Sequence, residues 1–346
     1  MIASIGKEIA LSSPEPGESI ETIYFGGGTP SILSIAQLSF LLETIQSKFN
    51  VSKHAEITLE ANPDDINKVS LTDWINIGIN RLSVGIQSFQ EDELMWMNRA
   101  HNASDSIRCI EDIVNSDFTN YSVDLIYGSP LLSDDDFKKN IDLIFSYNVP
   151  HISCYALTVE PQTALDHLIR NNKSLPVDNE KQSAHFLLLM DWMRAGGYEH
   201  YEISNFAKPG MYSRHNSSYW SGIPYYGFGP SAHSFNGKDK RSWNVANNAL
   251  YLQSLHKGEI PITEEILTVT QRLNEQVMIS LRTAKGLDLK NIEDKFGAEV
   301  KTTLIQQSAK HLANATLVYE NGILRLTDGG KLLADGIAAD LFFIAD

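Results

Sequence analysis

The chain has 346 residues, of which 42% are hydrophobic and 21% charged. That balance supports a packed core and excludes a disordered chain, and the length suits one large domain with a smaller one. Its 28 Lys and Arg against 43 Asp and Glu leave a net charge of −15. Such a chain lacks the clustered basic surface that nucleic acid or an anionic membrane requires.

No apolar run approaches the ~20 residues that cross a bilayer. Met1 is followed by no basic stretch and no apolar h-region, so no secretory signal is expected. Two cysteines, Cys109 and Cys154, allow at most one disulfide and fit a reducing compartment, hence the cytoplasm.

The elements alternate. Ile2, Ile5 and Ile9 have helical spacing, but no strand precedes them. Strand-like runs follow at Thr22–Phe25, Glu56–Leu59, Arg81–Ile86, Tyr121–Tyr127 and His151–Leu157. They read as apolar, mostly without a polar face, as strands covered by helices on both sides do. Between them, Ser34 and Gln37 form a capping box before a stripe of Leu38, Leu41, Leu42, Ile45 and Phe49. Ser104 is a candidate cap for a helix carrying Ile107, Ile110 and Val114. Ser133 and Asp136 open another, with Phe137, Ile141 and Ile144 inward. A further helix spans about Glu180 to Ala195 and stops at Gly196-Gly197. Alternation of this kind predicts an α/β fold with parallel strands and right-handed crossovers.

From Tyr198 to Asn244 the composition turns to Gly, Tyr, Ser, Asn and Trp, which predicts irregular β-structure and loops. A boundary falls near Pro261. Helices are expected at Glu264–Leu281, Leu289–Phe296 and Glu299–Leu312. Leu317–Glu320 and Ile323–Leu326 then flank the hairpin signal Asn321-Gly322, and Thr327 caps a last helix with Leu332, Leu333, Ile337 and Leu341. This is a winged-helix-like pattern. Its nine Lys and Arg against twelve Asp and Glu favour packing over DNA reading. The domains expected are residues 1–200, a partial β/α barrel; 201–260, a β/loop extension; and 261–346, a winged-helix-like domain.

Ligands of parallel α/β barrels sit where strands end. Here the ends read Gly26-Gly27-Gly28-Thr29-Pro30, Glu60-Ala61-Asn62-Pro63, Gly85-Ile86-Gln87-Ser88, Tyr127-Gly128-Ser129-Pro130 and Tyr155-Ala156. The glycines match no phosphate-loop pattern, and no Lys or Arg occurs between Gly26 and Ser47. They form either a tight turn with positive φ or a loop whose carbonyls face an ammonium group. Glu60, Gln87 and Asp124 at successive strand ends suggest one pocket, and Arg99 is either a carboxylate clasp or a surface cation. Ammonium, carboxylate and ribose partners together describe an amino-acid–nucleoside cofactor.

Cys109 and Cys154 read as buried structural thiols. They lie too far apart in sequence, with no third cysteine, to supply an iron–sulfur cluster. His215, in His215-Asn216-Ser217-Ser218-Tyr219-Trp220, is either a metal or haem ligand or a loop histidine bonded to backbone. Gly227-Phe228-Gly229-Pro230-Ser231-Ala232-His233-Ser234 is a weak candidate for a second glycine-shaped ligand loop near the site.

Taken in order, Ile23-Tyr24-Phe25-Gly26-Gly27-Gly28-Thr29-Pro30, Glu60-Ala61-Asn62-Pro63, Gly85-Ile86-Gln87-Ser88-Phe89, Val123-Asp124-Leu125-Ile126-Tyr127-Gly128 and His215–Trp220 resemble the HemW-type, haem-chaperone branch of the radical S-adenosylmethionine proteins. That branch is similar to the oxygen-independent coproporphyrinogen III oxidases (dehydrogenases). The resemblance runs from about Ile20 into the C-terminal domain. It implies a partial (β/α)6 barrel holding S-adenosylmethionine and a [4Fe–4S] cluster, whose reduced form generates a 5′-deoxyadenosyl radical. By motif match, Gly27, Gly28 and Thr29 would meet the methionyl amino end. Glu60, Gln87, Arg99 and Asp124 would meet the other polar groups, and Ala156 the adenosyl part. His215 would be the haem contact of a chaperone that delivers haem to haem-requiring respiratory enzymes. The alternative the resemblance carries is porphyrinogen oxidation.

The family's CxxxCxxC loop lies after a first strand, upstream of the glycine motif, and this sequence does not contain it. The expectation is therefore a barrel without its first strand and an exposed sheet edge at Thr22–Phe25. No metal ligands or catalytic residues are assigned, and no radical chemistry is expected of the chain as it stands.

Overall fold

A computed structural model describes residues 1–344. In chain order, helix α1 (Ile2–Leu11) leads to strand β1 (Ile20–Phe25), α2 (Ile35–Lys48), β2 (Val51–Ala61), α3 (Lys68–Asn76) and β3 (Arg81–Gln87). There follow α4 (Glu91–Trp96), α5 (Ala103–Val114), β4 (Tyr121–Tyr127), α6 (Asp134–Ser146), β5 (His151–Ala156), α7 (Ala164–Arg170) and α8 (Asn179–Ala195). Next come β6 (Glu199–Glu202), β7 (Asn205–Ala207), α9 (Arg214–Trp220), β8 (His233–Phe235), β9 (Lys240–Asn244), α10 (Asn248–Lys257) and β10 (Ile262–Ile266). The last stretch holds α11 (Val269–Leu281), β11 (Leu287–Asp288), α12 (Leu289–Phe296), α13 (Ala298–Ala313), β12 (Leu317–Glu320), β13 (Ile323–Leu326), α14 (Asp328–Lys331) and α15 (Ala334–Asp340).

A seven-stranded sheet takes the order β1-β2-β3-β4-β5-β7-β6, which leaves β1 at one edge. Pairing from β2 to β5 is parallel, and β7 joins β5 antiparallel. The fold is thus α/β with the expected crossover helices.

One expectation fails. The central strands do have a polar face. In β3, Arg81, Ser83, Gly85 and Gln87 alternate with Leu82, Val84 and Ile86, which are fully buried. Thr58 and Glu60 in β2, Ser122 and Asp124 in β4, and His151 and Ser153 in β5 follow the same period of two. The apolar set packs on the helices, while the polar set forms the face that carries the site.

The chain divides into two compact units. One comprises Tyr24–Ile32 and Ile57–Ser213; the other comprises Met1–Ile23, Leu33–Glu56 and the chain from Arg214 on. In the first, α6 starts at Ser133, whose hydroxyl accepts from the Asp136 amide, and Phe137, Ile141 and Ile144 are buried as expected. Helix α5 is capped by Asn102, not Ser104: the Asn102 side chain accepts from the Asp105 amide. Its inner face is Cys109, Ile110 and Ile113, whereas Val114 is exposed. The cap thus lies two residues before the expected one, and Ile113 takes the inward place expected of Val114, one residue or about 100° around the helix.

In the second unit, the Ser34–Gln37 capping box of α2 is present with both bonds. Gly6 of α1 lies against Phe40; a Cβ there would sit 2.5 Å from the ring. Buried Glu8 of α1 accepts from the Gly229 amide (2.9 Å), Asn244 Nδ2 (2.5 Å) and Tyr251 Oη (2.5 Å). The two glycines of the 227–230 segment have structural reasons: a side chain on Gly227 would collide with the His233 carbonyl, and Gly229 takes a φ of 110°. Glu264–Ile266, expected as helix, is β10 paired antiparallel with β9; sheet pairing overrides the local pattern. The winged-helix pattern is present in α11 to β13. Asn321 and Gly322 both take positive φ in the hairpin, and Leu273, Val277, Leu304, Leu317, Leu324 and Ile337 form its core. Thr327 caps α14, but the last helix is broken into α14 and α15, and Leu333 is exposed.

Candidate functional site

At the carboxyl ends of the first strands lies a cleft of about 230 Å³ within the first unit. It is lined by Gly28, Thr29, Glu60, Gln87, Arg99 and Asp124 together with Ser31, Asn62, Ser83 and Gly85. Six of the residues expected from sequence therefore come together. Gly27 sits beside them, its amide donating to Glu60 Oε2 at 3.2 Å. Ala156 ends β5, is exposed and is not among the lining residues. His215 lies in the other unit.

The backbone explains much of this geometry. Gly27 and Gly28 have φ of 75° and 92°, with open space where a side chain would stand. They are glycines for the turn. Gly26 differs: a Cβ there would lie 2.9 Å from Glu60 Oε1, so it is glycine for close approach. Gln87 takes φ of 66°, and the β3–β4 register shifts between Val84 and Gln87. A bulge of this kind re-aims a side chain at the end of a strand. Gly85 opens the floor; a Cβ there would be 2.8 Å from Gln87 Nε2 and 3.5 Å from Arg99 Nη2.

Charge is distributed unevenly. Tyr24 Oη donates to Glu60 Oε1 at 2.8 Å, and burial beside that carboxylate pushes the phenol's pKa up. Asp124 Oδ2 accepts from Ser83 Oγ at 3.4 Å, while buried Oδ1 has no hydrogen-bond partner. Burial raises the Asp124 pKa to about 6, against the lowering effects of the Ser153 hydroxyl and the Arg81 charge. Arg99 Nη2 donates to Asn62 Oδ1 (3.2 Å) and the Gly85 carbonyl (3.3 Å). Its buried Nε has no partner, and burial lowers its pKa. An unpartnered carboxylate oxygen and an unpartnered guanidinium N–H in one cleft are costly unless a ligand satisfies both. A ligand that carries both a hydrogen-bond donor and an anionic acceptor has the matching groups.

Sequence reasoning placed Asn62 and Gly85 in strand-end motifs without giving them a role, and it missed Tyr24 and Ser83 as supporting and lining residues. The signal for Ser83 was the polar alternation within β3, which reading that strand as an apolar run concealed.

The thiols do not fit a [4Fe–4S] ligand set. Cys109 in α5 and Cys154 in β5 are buried, and burial drives both pKa values up, which keeps them protonated. Among the described residues no group of three or more His, Cys, Asp and Glu is placed to hold a metal ion.

In the other unit, His215 is on helix α9, not on a loop. Its Nδ1 lies 2.8 Å from Thr22 Oγ1, and its ring meets Tyr219 edge-on at 5.0 Å. Glu56 accepts from the amides of Arg214 (3.2 Å) and His215 (2.9 Å), fixing the start of α9. Arg282 stacks over Trp220 at 5.8 Å.

Parallel strands with a polar cleft at their carboxyl ends define an α/β protein that takes its ligand at the strand ends. Residues 3–144 match the model of the Radical SAM superfamily, and residues 267–333 match that of the HemN C-terminal domain. The chain is 34% identical over 322 residues to a protein named heme chaperone HemW of Bacillus subtilis, covering 92% of this chain and 84% of the relative. It is 32% identical to the protein of the same name in Mycobacterium tuberculosis H37Rv, over 93% of this chain and 81% of the relative. The solved structure of the radical SAM enzyme coproporphyrinogen III oxidase (HemN) from Escherichia coli superposes with a TM-score of 0.85. That match has 22% identity and covers 99% of this chain and 82% of the other, a likeness of fold. The chain belongs to the HemW family of the radical SAM superfamily.

Proposed function

We propose that the cleft binds S-adenosylmethionine and that the chain is a haem chaperone, acting in the cytoplasm and passing haem to haem-requiring respiratory enzymes. The observation that carries the cofactor reading is the pair of buried, unpartnered atoms, Asp124 Oδ1 and Arg99 Nε, in one cleft. In this reading Arg99 faces the cofactor's carboxylate. Gly27, Gly28 and Thr29 border its amino end. Glu60, Gln87 and Asp124 take its amino and ribose groups, and Ala156 borders the adenosyl part. When bound, S-adenosylmethionine supplies an activated sulfonium. The chain's own groups orient it and exclude water from its polar ends.

The haem reading rests on membership of a family whose relatives carry that name. His215 is its candidate contact. Hydrogen bonding at Nδ1 fixes an imidazole's orientation and raises its basicity as a ligand, and the Thr22 hydroxyl stands at that atom.

Equilibrium dialysis with labelled S-adenosylmethionine tests the cleft. Binding that Arg99→Ala weakens about tenfold or more is expected, and no binding by wild type removes the reading. Haem titration tests the other unit. A shifted Soret band in His215→Ala is expected, and identical spectra and affinity remove His215.

No helix among the described residues is long and apolar enough to cross a membrane.

A further inference from the structure

We propose that Glu93 is a positioning residue for the cleft, a buried carboxylate that clamps the loop after β3 to the loop after β4. The proposal rests on reading the cleft as the S-adenosylmethionine site.

Glu93 lies in α4, between the cleft residues Gln87 and Arg99, and is 2% exposed. Ser88 Oγ donates to its Oε2 at 2.7 Å, and Ser129 Oγ donates to its Oε1. Ser88 and Ser129 are fully buried. Ser88 Oγ already accepts from Asn140 Nδ2 (3.1 Å) and the Gln90 amide (3.1 Å). Both its lone pairs are engaged, so its proton needs an acceptor, and Glu93 supplies one. Asn140 Oδ1 in turn accepts from the Phe89 amide (3.2 Å) and Gln90 Nε2 (3.0 Å). Ser129 Oγ accepts from the Leu132 amide at 3.2 Å.

One carboxylate thus holds two chain segments. Ser88 follows Gln87, whose left-handed backbone relaxes unless its surroundings hold it. Ser129 follows the strand that carries Asp124 and the Gly128 turn, where φ is 77°. Burying a carboxylate is costly, and well-packed apolar residues often stabilise such a position as well or better. A carboxylate that accepts from both loops aligns them, which an apolar residue does not.

The test uses the full chain as wild type, Glu93→Ala, Glu93→Gln and Ser129→Ala. Labelled S-adenosylmethionine dialysis is paired with ligand-free hydrogen–deuterium exchange. Glu93→Ala should weaken binding about tenfold, in keeping with the cost of a small misplacement. It should also speed exchange in 86–101 and 127–132 while leaving 205–207 unchanged. Glu93→Gln should stay within about threefold, because an amide oxygen still accepts from Ser88. A folded Glu93→Ala protein with wild-type affinity and wild-type exchange overturns the clamp. If Glu93→Ala does not fold, Ser129→Ala decides by the same two readouts, with faster exchange in 127–132 expected and unchanged exchange overturning it. Absence of binding by wild type would remove the cofactor reading, and the exchange comparison would still decide the clamp.

Discussion

Tyr24 donates its hydroxyl to Glu60 Oε1 at 2.8 Å, so the last residues of β1 hold the carboxylate at the end of β2. Gly27 binds the other oxygen of the same carboxylate. Tyr24→Phe removes one of two donors and leaves the ring. We expect a loss of about 0.5–1.5 kcal/mol in S-adenosylmethionine binding, or roughly threefold to tenfold, measured by dialysis.

Gly85 takes no positive φ, so alanine fits its backbone but not its surroundings. The added methyl falls on Gln87 and beside Arg99. Gly85→Ala should lose about tenfold or more in cofactor affinity while its melting temperature stays within a few degrees of wild type.

Asp124 links stability to pH. Its folded pKa, about 6, stands above its ordinary carboxylate value, so the native state binds the proton more tightly than the unfolded chain does. Stability therefore falls as pH rises from about 4 through about 6, and the loss is complete above that window. Asp124→Asn should be more stable than wild type at pH 7, by on the order of 3 kcal/mol. The two should converge near pH 4. Thermal melts at several pH values check this, and a gain that persists at pH 4 would refute it. The same variant should bind the cofactor more weakly, a trade of stability against function.

Glu8 accepts from three buried or backbone donors in the second unit. Glu8→Gln keeps the shape but turns an amide N–H₂ toward one of those donors. A destabilisation of about 2–4 kcal/mol is expected by denaturant titration.

Thr22→Val keeps the volume beside His215 and removes the hydroxyl at Nδ1. Haem affinity should fall several-fold without loss of the helix α9, as followed by absorption titration.

Much of this was legible in the sequence because it is local. The Ser34–Gln37 box, the Asn321-Gly322 hairpin and the sequence of strand ends all follow from short-range chemistry. Glu60, Gln87 and Asp124 could be grouped because parallel strands bring their ends together whatever lies between. Helix α9 was not legible. Its sequence, Arg-His-Asn-Ser-Ser-Tyr-Trp, has poor helix formers, and its start is held by Glu56, 158 residues away from Arg214. Glu264–Ile266 was misread for a similar reason, since its partner is β9. Gln87 was found by position alone, and the bulge that aims it depends on pairing with β4.

The two-residue period of β3 has a consequence for how this protein tolerates change. Slipping that strand by a single position would present Leu82, Val84 and Ile86 to the ligand and drive Arg81 and Ser83 into the helical layer. An inserted or deleted residue inside Arg81–Gln87 should therefore erase recognition and fold together, whereas length changes in the exposed segment around α7 fall outside that constraint.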